Sequence, residues 1–264
     1  MTMVWSSDYA PVDGDFDNVS LLLKGEGTNG STTILDSSSN NLSVTAVDNA
    51  QISTAVNTPF GTGDGVLALD GTGDYLTVPN SSAFDFSTGD LTIEAWVYIA
   101  GNSAPNVAGN RSASICGTWS SGFPLSGWLF LVTGNTTTTG VGLLLSSWDG
   151  SSNASQETAN VTIAQQTWHH LAASVSNGTR RLFLNGALLP SNSTPNGSGY
   201  NPIESFGNDL RVGSSGNFTG GYSNNLNGYI SNLRITKGVA RYTSNFTPPT
   251  APFPIYSPTT RAQA

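Results

Sequence analysis

Short segments in which apolar and polar residues alternate recur along the whole chain. In the longest of them, residues 91–99, the apolar positions fall on one face and Thr92, Glu94, Trp96 and Tyr98 fall on the other. Successive side chains of a β-strand point to opposite faces, so this alternation predicts a strand. The aromatic residues on the second face indicate that both faces are at least partly covered.

Residues 168–185 are predicted to form a β-hairpin. Apolar residues alternate on either side of Asn177-Gly178, at Leu171, Ala173, Val175, Leu182 and Leu184. Asn-Gly tolerates the positive φ angles that a tight hairpin turn requires, and Asn185-Gly186 offers a second reversal directly afterwards.

The strands recur at short intervals, with turn residues between them and no convincing amphipathic helix. The further predicted strands are residues 19–24, 42–47, 66–70, 75–78, 115–119, 128–133, 141–148, 157–163, 210–213 and 226–236. This spacing is typical of a β-sandwich or jelly roll. We therefore predict an all-β fold, an antiparallel two-sheet jelly-roll sandwich.

The two ends of the chain lack this alternation. Residues 1–18 show neither a strand nor a helix period, and residues 247–264 are rich in proline, which cannot pair inside a sheet. We predict an N-terminal arm over residues 1–18, one jelly-roll domain over residues 19–246, and a C-terminal tail over residues 247–264.

Composition and charge exclude several classes of protein. The net charge is −8, and the chain has 9 Lys and Arg residues in all, so nucleic-acid backbone is not an expected partner. Cys116 is the single cysteine, which rules out a disulfide within the chain. No apolar run is long enough to cross a membrane, and residues 1–10 carry no signal-peptide pattern. We expect synthesis in a cytoplasm and no membrane insertion.

Five motifs occur in an order that is specific for fold. They are Gly71-Thr72-Gly73-Asp74-Tyr75-Leu76 with Pro79, residues 91–97, Thr167-Trp168-His169-His170-Leu171-Ala172 with Leu184-Asn185-Gly186, residues 210–213, and residues 227–235. This set resembles the laminin G-like jelly rolls of the concanavalin A-like lectin/glucanase superfamily over about residues 19–246.

The end of the chain adds a second resemblance. Residues 234–242, together with Asn245-Phe246-Thr247-Pro248-Pro249, are similar to a variant common in structural proteins of tailed phages, especially marine ones. The resemblance implies a virion structural protein, such as a capsid decoration, spike or fibre component, whose arms contact other virion proteins. Its jelly roll would serve attachment to a host-surface glycan. A bacterial carbohydrate-binding adhesin or lectin is the alternative, and a glycan-processing enzyme is the third and least favoured class. Homo-oligomerisation stays open.

Candidate catalytic residues do not form a recognisable constellation. Glycoside hydrolysis uses two carboxyl groups, but Glu26, Glu94, Glu157 and Glu204 do not occur in a paired arrangement. Neighbouring His169 and His170 would point to opposite faces of a strand and so would not share a metal. We predict that the chain is not an enzyme and that Glu94 is a hydrogen-bonded structural carboxylate.

We predict no cofactor, with one alternative. Relatives that hold a structural calcium ion often have an acidic residue in the final strand, where this chain has Ser231 and Asn232. Asp64, Asp70 and Asp74 could offer oxygen ligands to calcium, although acidic residues beside glycine are also ordinary turn chemistry.

Three residues are candidates for glycan binding. Trp119 and Trp148 lie near predicted strand ends, where an indole ring can stack on a sugar, and Asp149 adds a polar partner beside Trp148. Packing in the core or at its rim is the competing interpretation.

Overall fold

The computed structural model describes residues 12–61, 65–101, 110–119, 126–135, 141–149, 154–190, 202–216 and 224–256. The predicted all-β fold is confirmed: these residues form antiparallel strands and two single-turn 3-10 helices, Phe16–Asn18 and Ser82–Phe84. The strands are β1 Val19–Leu23, β2 Thr45–Val47, β3 Gln51–Ser53, β4 Val66–Asp70, β5 Tyr75–Val78, β6 Leu91–Ile99, β7 Asn110–Gly117, β8 Ser126–Asn135, β9 Val141–Asp149, β10 Ala154–Asn160, β11 Trp168–Ser176, β12 Thr179–Leu184, β13 Ala187–Leu188, β14 Leu210–Val212 and β15 Asn227–Lys237.

Two sheets form the jelly-roll sandwich. Sheet A has the order β13-β12-β11-β6-β15-β4-β3, and sheet B has the order β10-β9-β8-β7-β14-β5-β2. The long strand β15 pairs with β4 through its first half and with β1 through its second half. Strands distant in sequence thus become neighbours, as a jelly roll requires.

The core lies between the sheets and holds the apolar positions that the alternation singles out. Its largest fully buried side chains include Trp128, Phe84, Phe130, Ile93 and Ile115. Cys116 is buried as well, and burial raises the pKa of its thiol well above the ordinary value. A protonated, enclosed thiol of this kind packs as a small apolar residue.

The predicted hairpin is present as β11 and β12. Asn177 and Gly178 form its turn with φ angles of 49° and 73°, and Asn185 and Gly186 form the next turn at 50° and 79°. Positive φ at both central residues matches the twist of the flanking strands.

Strand β3 was not predicted, because Gln51–Ser53 is too short to show an alternation of its own. It pairs with β4 at the edge of sheet A. The predicted strand 42–47 is paired only at Thr45–Val47.

The described parts of the two terminal segments, residues 12–18 and 247–256, fold onto the outer face of sheet A. Phe16, Val19, Leu22 and Phe253 form a separate buried apolar cluster there. The Asp13 amide donates a hydrogen bond of 3.0 Å to the Tyr256 carbonyl, so the described ends of the chain meet.

In the described part of the chain, no helix has the length and apolar character needed to cross a membrane.

Candidate functional site

A row of aromatic side chains crosses the outer face of sheet A. Trp168 of β11, Tyr98 of β6 and Tyr229 of β15 are directly opposite one another in register. The Tyr98 ring lies 5.6 Å from the Trp168 ring and 5.6 Å from the Tyr229 ring, in edge-to-face contacts. All three side chains are half-buried, so the row keeps some accessible surface.

The segment after β3, which includes Asn57 and Phe60, crosses this face and contacts its aromatic side chains. The Trp168 indole N–H donates to the Asn57 carbonyl at 2.8 Å. Phe60 packs edge-to-face on Trp96, with ring centroids 6.0 Å apart. These contacts hold the rings in one arrangement, as a binding surface requires.

A cleft of about 210 Å³ lies at the rim of the sandwich, beside the Tyr229 end of the row. It is lined by Asn49, Gln51, Ala68, Leu69, Asp70, Asp74, Ala100, Asn227, Gly228 and Tyr229. Within the described residues, the side chains of Gln51 and Asn227 and the Tyr229 hydroxyl make no hydrogen bond. Their donors and acceptors are therefore free to meet a ligand.

Asp74 builds the turn that closes the cleft. Its side chain is buried, and its two oxygens accept the Asn49 amide at 3.1 Å and the Asp70 amide at 2.9 Å. Burial raises the pKa of this carboxyl, with the nearby carboxylates of Asp70 and Asp48 adding to the rise and the two amides opposing it. Both oxygens are thus used to hold the backbone of the turn.

Asp70 is held at the exposed edge of the same cleft. Its oxygens accept the Thr72 amide at 2.7 Å and the Asn49 side-chain amide at 3.2 Å. A carboxylate has about four lone-pair sites, so Asp70 retains capacity to accept hydrogen bonds from a ligand. The cleft combines an aromatic wall, two amides and a carboxylate, which suits a polyhydroxylated molecule.

Asp70 and Asp74, two of the three candidate calcium ligands, do not belong to a metal-binding cluster in the described residues. Asp64 lies outside those residues, and no group of three or more His, Cys, Asp or Glu side chains there is arranged to hold a metal ion. In the final strand, Asn232 occupies a bulge with φ of 53°, and its backbone N–H donates to the Lys24 carbonyl at 3.3 Å.

The three predicted glycan residues lie on the other sheet. The Trp119 and Trp148 rings contact each other at 3.9 Å between centroids and pack with Leu129 and Leu131. Trp119 is only 6% exposed, whereas Trp148 is half-buried. The backbone of Asp149 pairs with β8, and its side chain is outside the described atoms. This group is separate from the aromatic row.

Glu94 is a structural carboxylate, as predicted. It is fully buried and accepts hydrogen bonds from Arg234 at 2.7 and 3.0 Å and from Tyr242 at 2.7 Å, with His170 Nε2 at 3.2 Å. Burial acts to raise its pKa, but Arg234, His170 and Tyr242 together lower the value to about 2. An enclosed carboxylate that is ionised at neutral pH has no proton to donate there, so Glu94 is unsuited to the role of a general acid.

The two histidines have different partners. His169 lies 3.2 Å from the Ala164 carbonyl and 3.1 Å from the Asn185 amide, while His170 faces Glu94 on the opposite side of the strand. Burial lowers the pKa of His169, although these two hydrogen bonds oppose that effect.

Sequence reasoning missed the cleft, although part of its signal was visible. The outer-face position of Tyr98 follows from the alternation in its strand. Alternation alone places Tyr229 on the face of Leu233 and Ile235, and the bulge between Ser231 and Arg234 moves it to the outer face. Their adjacency depends on the register between β6 and β15, which are more than 120 residues apart in the chain. Gln51 belongs to the short strand that was not predicted.

Comparisons with known proteins agree with this fold. A family model named Laminin_G_3, described as Concanavalin A-like lectin/glucanases superfamily, matches residues 70–241. A search of curated proteins finds no match.

Several solved structures are similar in fold at low sequence identity. The binding domain of Paraclostridial Mosquitocidal Protein 1 superposes with a TM-score of 0.58 and 16% identity, covering 84% of this chain and 49% of that one. The botulinum neurotoxin serotype G binding domain gives 0.57 and 15%, covering 87% and 49%. This chain thus spans about half the length of these toxin domains.

Another similar structure has nearly the same extent as this chain. Domain 4 of AbnA, a GH43 extracellular arabinanase from Geobacillus stearothermophilus in complex with arabinotriose, gives a TM-score of 0.53 and 18% identity, covering 84% of this chain and 94% of that one. The family model matches well over half of the chain, and the two-sheet fold agrees with it. The chain therefore belongs to the concanavalin A-like lectin/glucanase superfamily.

Proposed function

We propose that this chain is a non-enzymatic structural protein of a tailed-phage virion, and that it attaches to host-surface glycan through the rim cleft. One observation carries the binding role. The half-buried Tyr229 stands beside the unpaired side-chain amides of Gln51 and Asn227 and the exposed carboxylate of Asp70. An aromatic face with a few converging polar groups is the usual chemistry of a small-ligand site.

The similar structures support a binding role. Two of them are binding domains of toxins, and a third is a domain in complex with arabinotriose. These descriptions concern those proteins, and for this chain they favour glycan binding over a purely architectural role.

The chemistry of the carboxylates argues against glycoside hydrolysis. Asp74 lines the cleft, but its carboxyl group is buried and holds two backbone amides, which leaves Asp70 as the one accessible carboxylate of the described lining. Glu94 is locked in an ion pair with Arg234. A hydrolase needs one carboxyl group that donates a proton and a second that acts as a base or nucleophile, and neither Asp74 nor Glu94 is free for such a role.

The virion role rests on the resemblance of residues 234–249 to phage structural proteins. The contact between residues 12–13 and 255–256 supports docking through the arms, because the exposed apolar side chains of Val12, Ile255 and Tyr256 flank the Asp13–Tyr256 hydrogen bond. Other virion proteins would contact this end. A bacterial surface lectin is the alternative. An antibody against the chain would label phage particles if the chain is a virion protein, and the surface of bacterial cells if it is a lectin.

A second proposed glycan surface consists of Trp119, Trp148 and Asp149 on sheet B. Trp148 is its accessible member, since Trp119 is buried behind it. The two surfaces lie on different sheets, so single substitutions distinguish them.

A glycan array probed with the full chain tests the proposal. We expect binding to at least one surface glycan, and a loss of at least tenfold in affinity on Tyr229→Ala, which corresponds to about 1.4 kcal/mol. Tyr75→Ala is the matched control, because Tyr75 is also half-buried but lies in sheet B under Arg211.

Three outcomes contradict the proposal. Binding to no glycan would remove the attachment role. If Trp148→Ala abolishes glycan binding and Tyr229→Ala does not weaken it, the binding site lies on sheet B rather than in the rim cleft. Release of sugars from the bound glycans would show that the chain is an enzyme.

A further inference from the structure

We infer that the rim cleft selects the uncharged terminal sugar of a glycan and excludes termini that carry a carboxylate or a sulfate. This inference rests on the proposed glycan-binding function and names the ligand class of that same site. Three features of the cleft carry it: its charge, its size and its hydrogen-bonding groups.

The charge of the cleft is negative. Asp70 and Asp74 line it, Asp48 lies close behind the turn, and none of the described lining residues is a cation. Arg211, in sheet B, is engaged over the Tyr75 ring at 4.8 Å. An anionic sugar would bring its own charge next to these carboxylates without a cation to offset the repulsion.

The size of the cleft suits a chain end. Its volume of about 210 Å³ is below the roughly 300–1,000 Å³ of pockets that hold drug-sized ligands. The turn at Gly71 packs closely on Asn227, which lines the cleft, so that a Cβ atom at Gly71 would lie 2.8 Å from the Cβ of Asn227 and the two form a wall. A single sugar ring enters such a space, whereas a chain passing through it would meet this wall.

The hydrogen-bonding groups match a neutral sugar. Gln51 and Asn227 each offer both an N–H donor and a carbonyl acceptor, while Asp70 only accepts. Neighbouring sugar hydroxyls both donate and accept, so they satisfy this set. A terminal carboxylate only accepts and would leave Asp70 facing another acceptor.

Pairs of glycans that differ only in a terminal sialic acid or sulfate test the inference, with the affinity measured by calorimetry on the full chain. We expect the neutral member of each pair to bind at least tenfold more tightly. Among neutral oligosaccharides of two to six units with the same terminal sugar, we expect affinities within about twofold of one another, because only the end is bound.

The substitution Asp70→Asn sharpens the test, since it removes charge but keeps an acceptor. We expect it to reduce the preference for the neutral glycan at least fivefold. Asp209→Asn is the matched control, because Asp209 is also exposed and also accepts a backbone amide, from Asn80 at 2.9 Å. An unchanged melting temperature for both variants shows that the fold is intact.

The failures are distinguishable. Absence of binding to any glycan defeats the proposed function and the inference together. Preference for the acidic member of each pair overturns the inference but leaves glycan binding standing. Affinity that rises with every added sugar overturns the end-on mode.

Discussion

At the residue scale, a buried ion-pair network on the outer face of sheet A joins distant parts of the chain. Arg234 donates to Glu94 and also to Asp13 at 2.8 Å, and its guanidinium lies 3.7 Å from the centroid of the Phe253 ring. Arg241 donates to both oxygens of Asp13 at 2.9 Å. Each charge has a partner of opposite sign, which offsets the cost of burial.

Replacing Glu94 by Gln removes one charge from this network and leaves Arg234 incompletely compensated. Loss of one partner of a buried pair costs about 3–5 kcal/mol, so we expect the free energy of unfolding to fall by about 3 kcal/mol in urea titrations. Glu26→Gln is the control. Glu26 is exposed and paired with Lys24, so its loss should cost less than about 1 kcal/mol.

Glu94→Gln should also change how the free energy of unfolding depends on pH. The pKa of Glu94 is lowered on folding from 4.5 to about 2, so its stabilising effect is complete above about 4.5 and is lost as the pH falls toward 2. The unfolding free energy of the unmodified chain should therefore decrease over this window. Glu94→Gln should flatten the decrease in part, since the pKa of Asp13 is also lowered by Arg241 and Arg234 despite its burial. If the unfolding free energy falls equally steeply with decreasing pH in the unmodified chain and in Glu94→Gln, this account is contradicted.

At the element scale, the turn after β12 anchors the C-terminal segment. The Phe246 amide donates to the Gly186 carbonyl at 2.9 Å, and the Phe246 ring stacks on Tyr242 at 3.5 Å between centroids. Phe183 of β12 packs on both rings. The hairpin thereby holds the chain that follows the last strand.

Gly178 in the hairpin turn and Gly186 in the turn that follows the hairpin form a matched pair for testing that anchor. Both have positive φ, so replacement by alanine strains the backbone in either case, at a cost of about 1 kcal/mol. At Gly178 a new Cβ atom meets nothing within 4 Å, whereas at Gly186 it would collide with the Phe246 carbonyl. We expect Gly186→Ala to lower the unfolding free energy by at least about 1 kcal/mol more than Gly178→Ala. Equal losses of unfolding free energy in the two variants would show that the segment at Phe246 moves away from the new Cβ atom without loss of stability.

At the scale of the whole molecule, the described ends of the chain, residues 12–18 and 247–256, contact the outer face of sheet A and each other. Residues 12–18 depend on the C-terminal segment, because Arg241 holds Asp13 and the Asp13 amide reaches Tyr256. The two guanidinium groups that hold Asp13, those of Arg234 and Arg241, thus come from distant positions in the chain.

Hydrogen exchange of residues 12–18 tests this coupling. Arg241→Ala should speed the exchange of the Asp15, Phe16 and Asn18 amides at least tenfold, since Asp13 loses a partner while those amides themselves are unchanged. Arg181→Ala is the control, because that side chain donates to the Thr179 carbonyl at 3.3 Å on β12. If the Asp15, Phe16 and Asn18 amides exchange no faster in Arg241→Ala than in Arg181→Ala, the N-terminal segment is held independently of Arg241.

The sequence by itself determined the strands whose alternation is long enough to read, together with the hairpin turns. β6 and β11 follow from side-chain period, and Asn177-Gly178 follows from the φ angles that its residues accept. These are local properties of the backbone. The structural role of Glu94 was also predictable, because it stands as a lone carboxylate on a strand.

Only the tertiary structure decided which strands became neighbours and what their outer faces met. Register between distant strands placed Tyr98 beside Tyr229. The edge strand β3 brought Gln51 to the rim cleft that Tyr229 lines. The indoles chosen from sequence, Trp119 and Trp148, pack against each other on sheet B, and their proposed role stays a prediction. Side-chain period tells which residues share a face, but packing across the sandwich and over its rim tells which of those residues a ligand can reach.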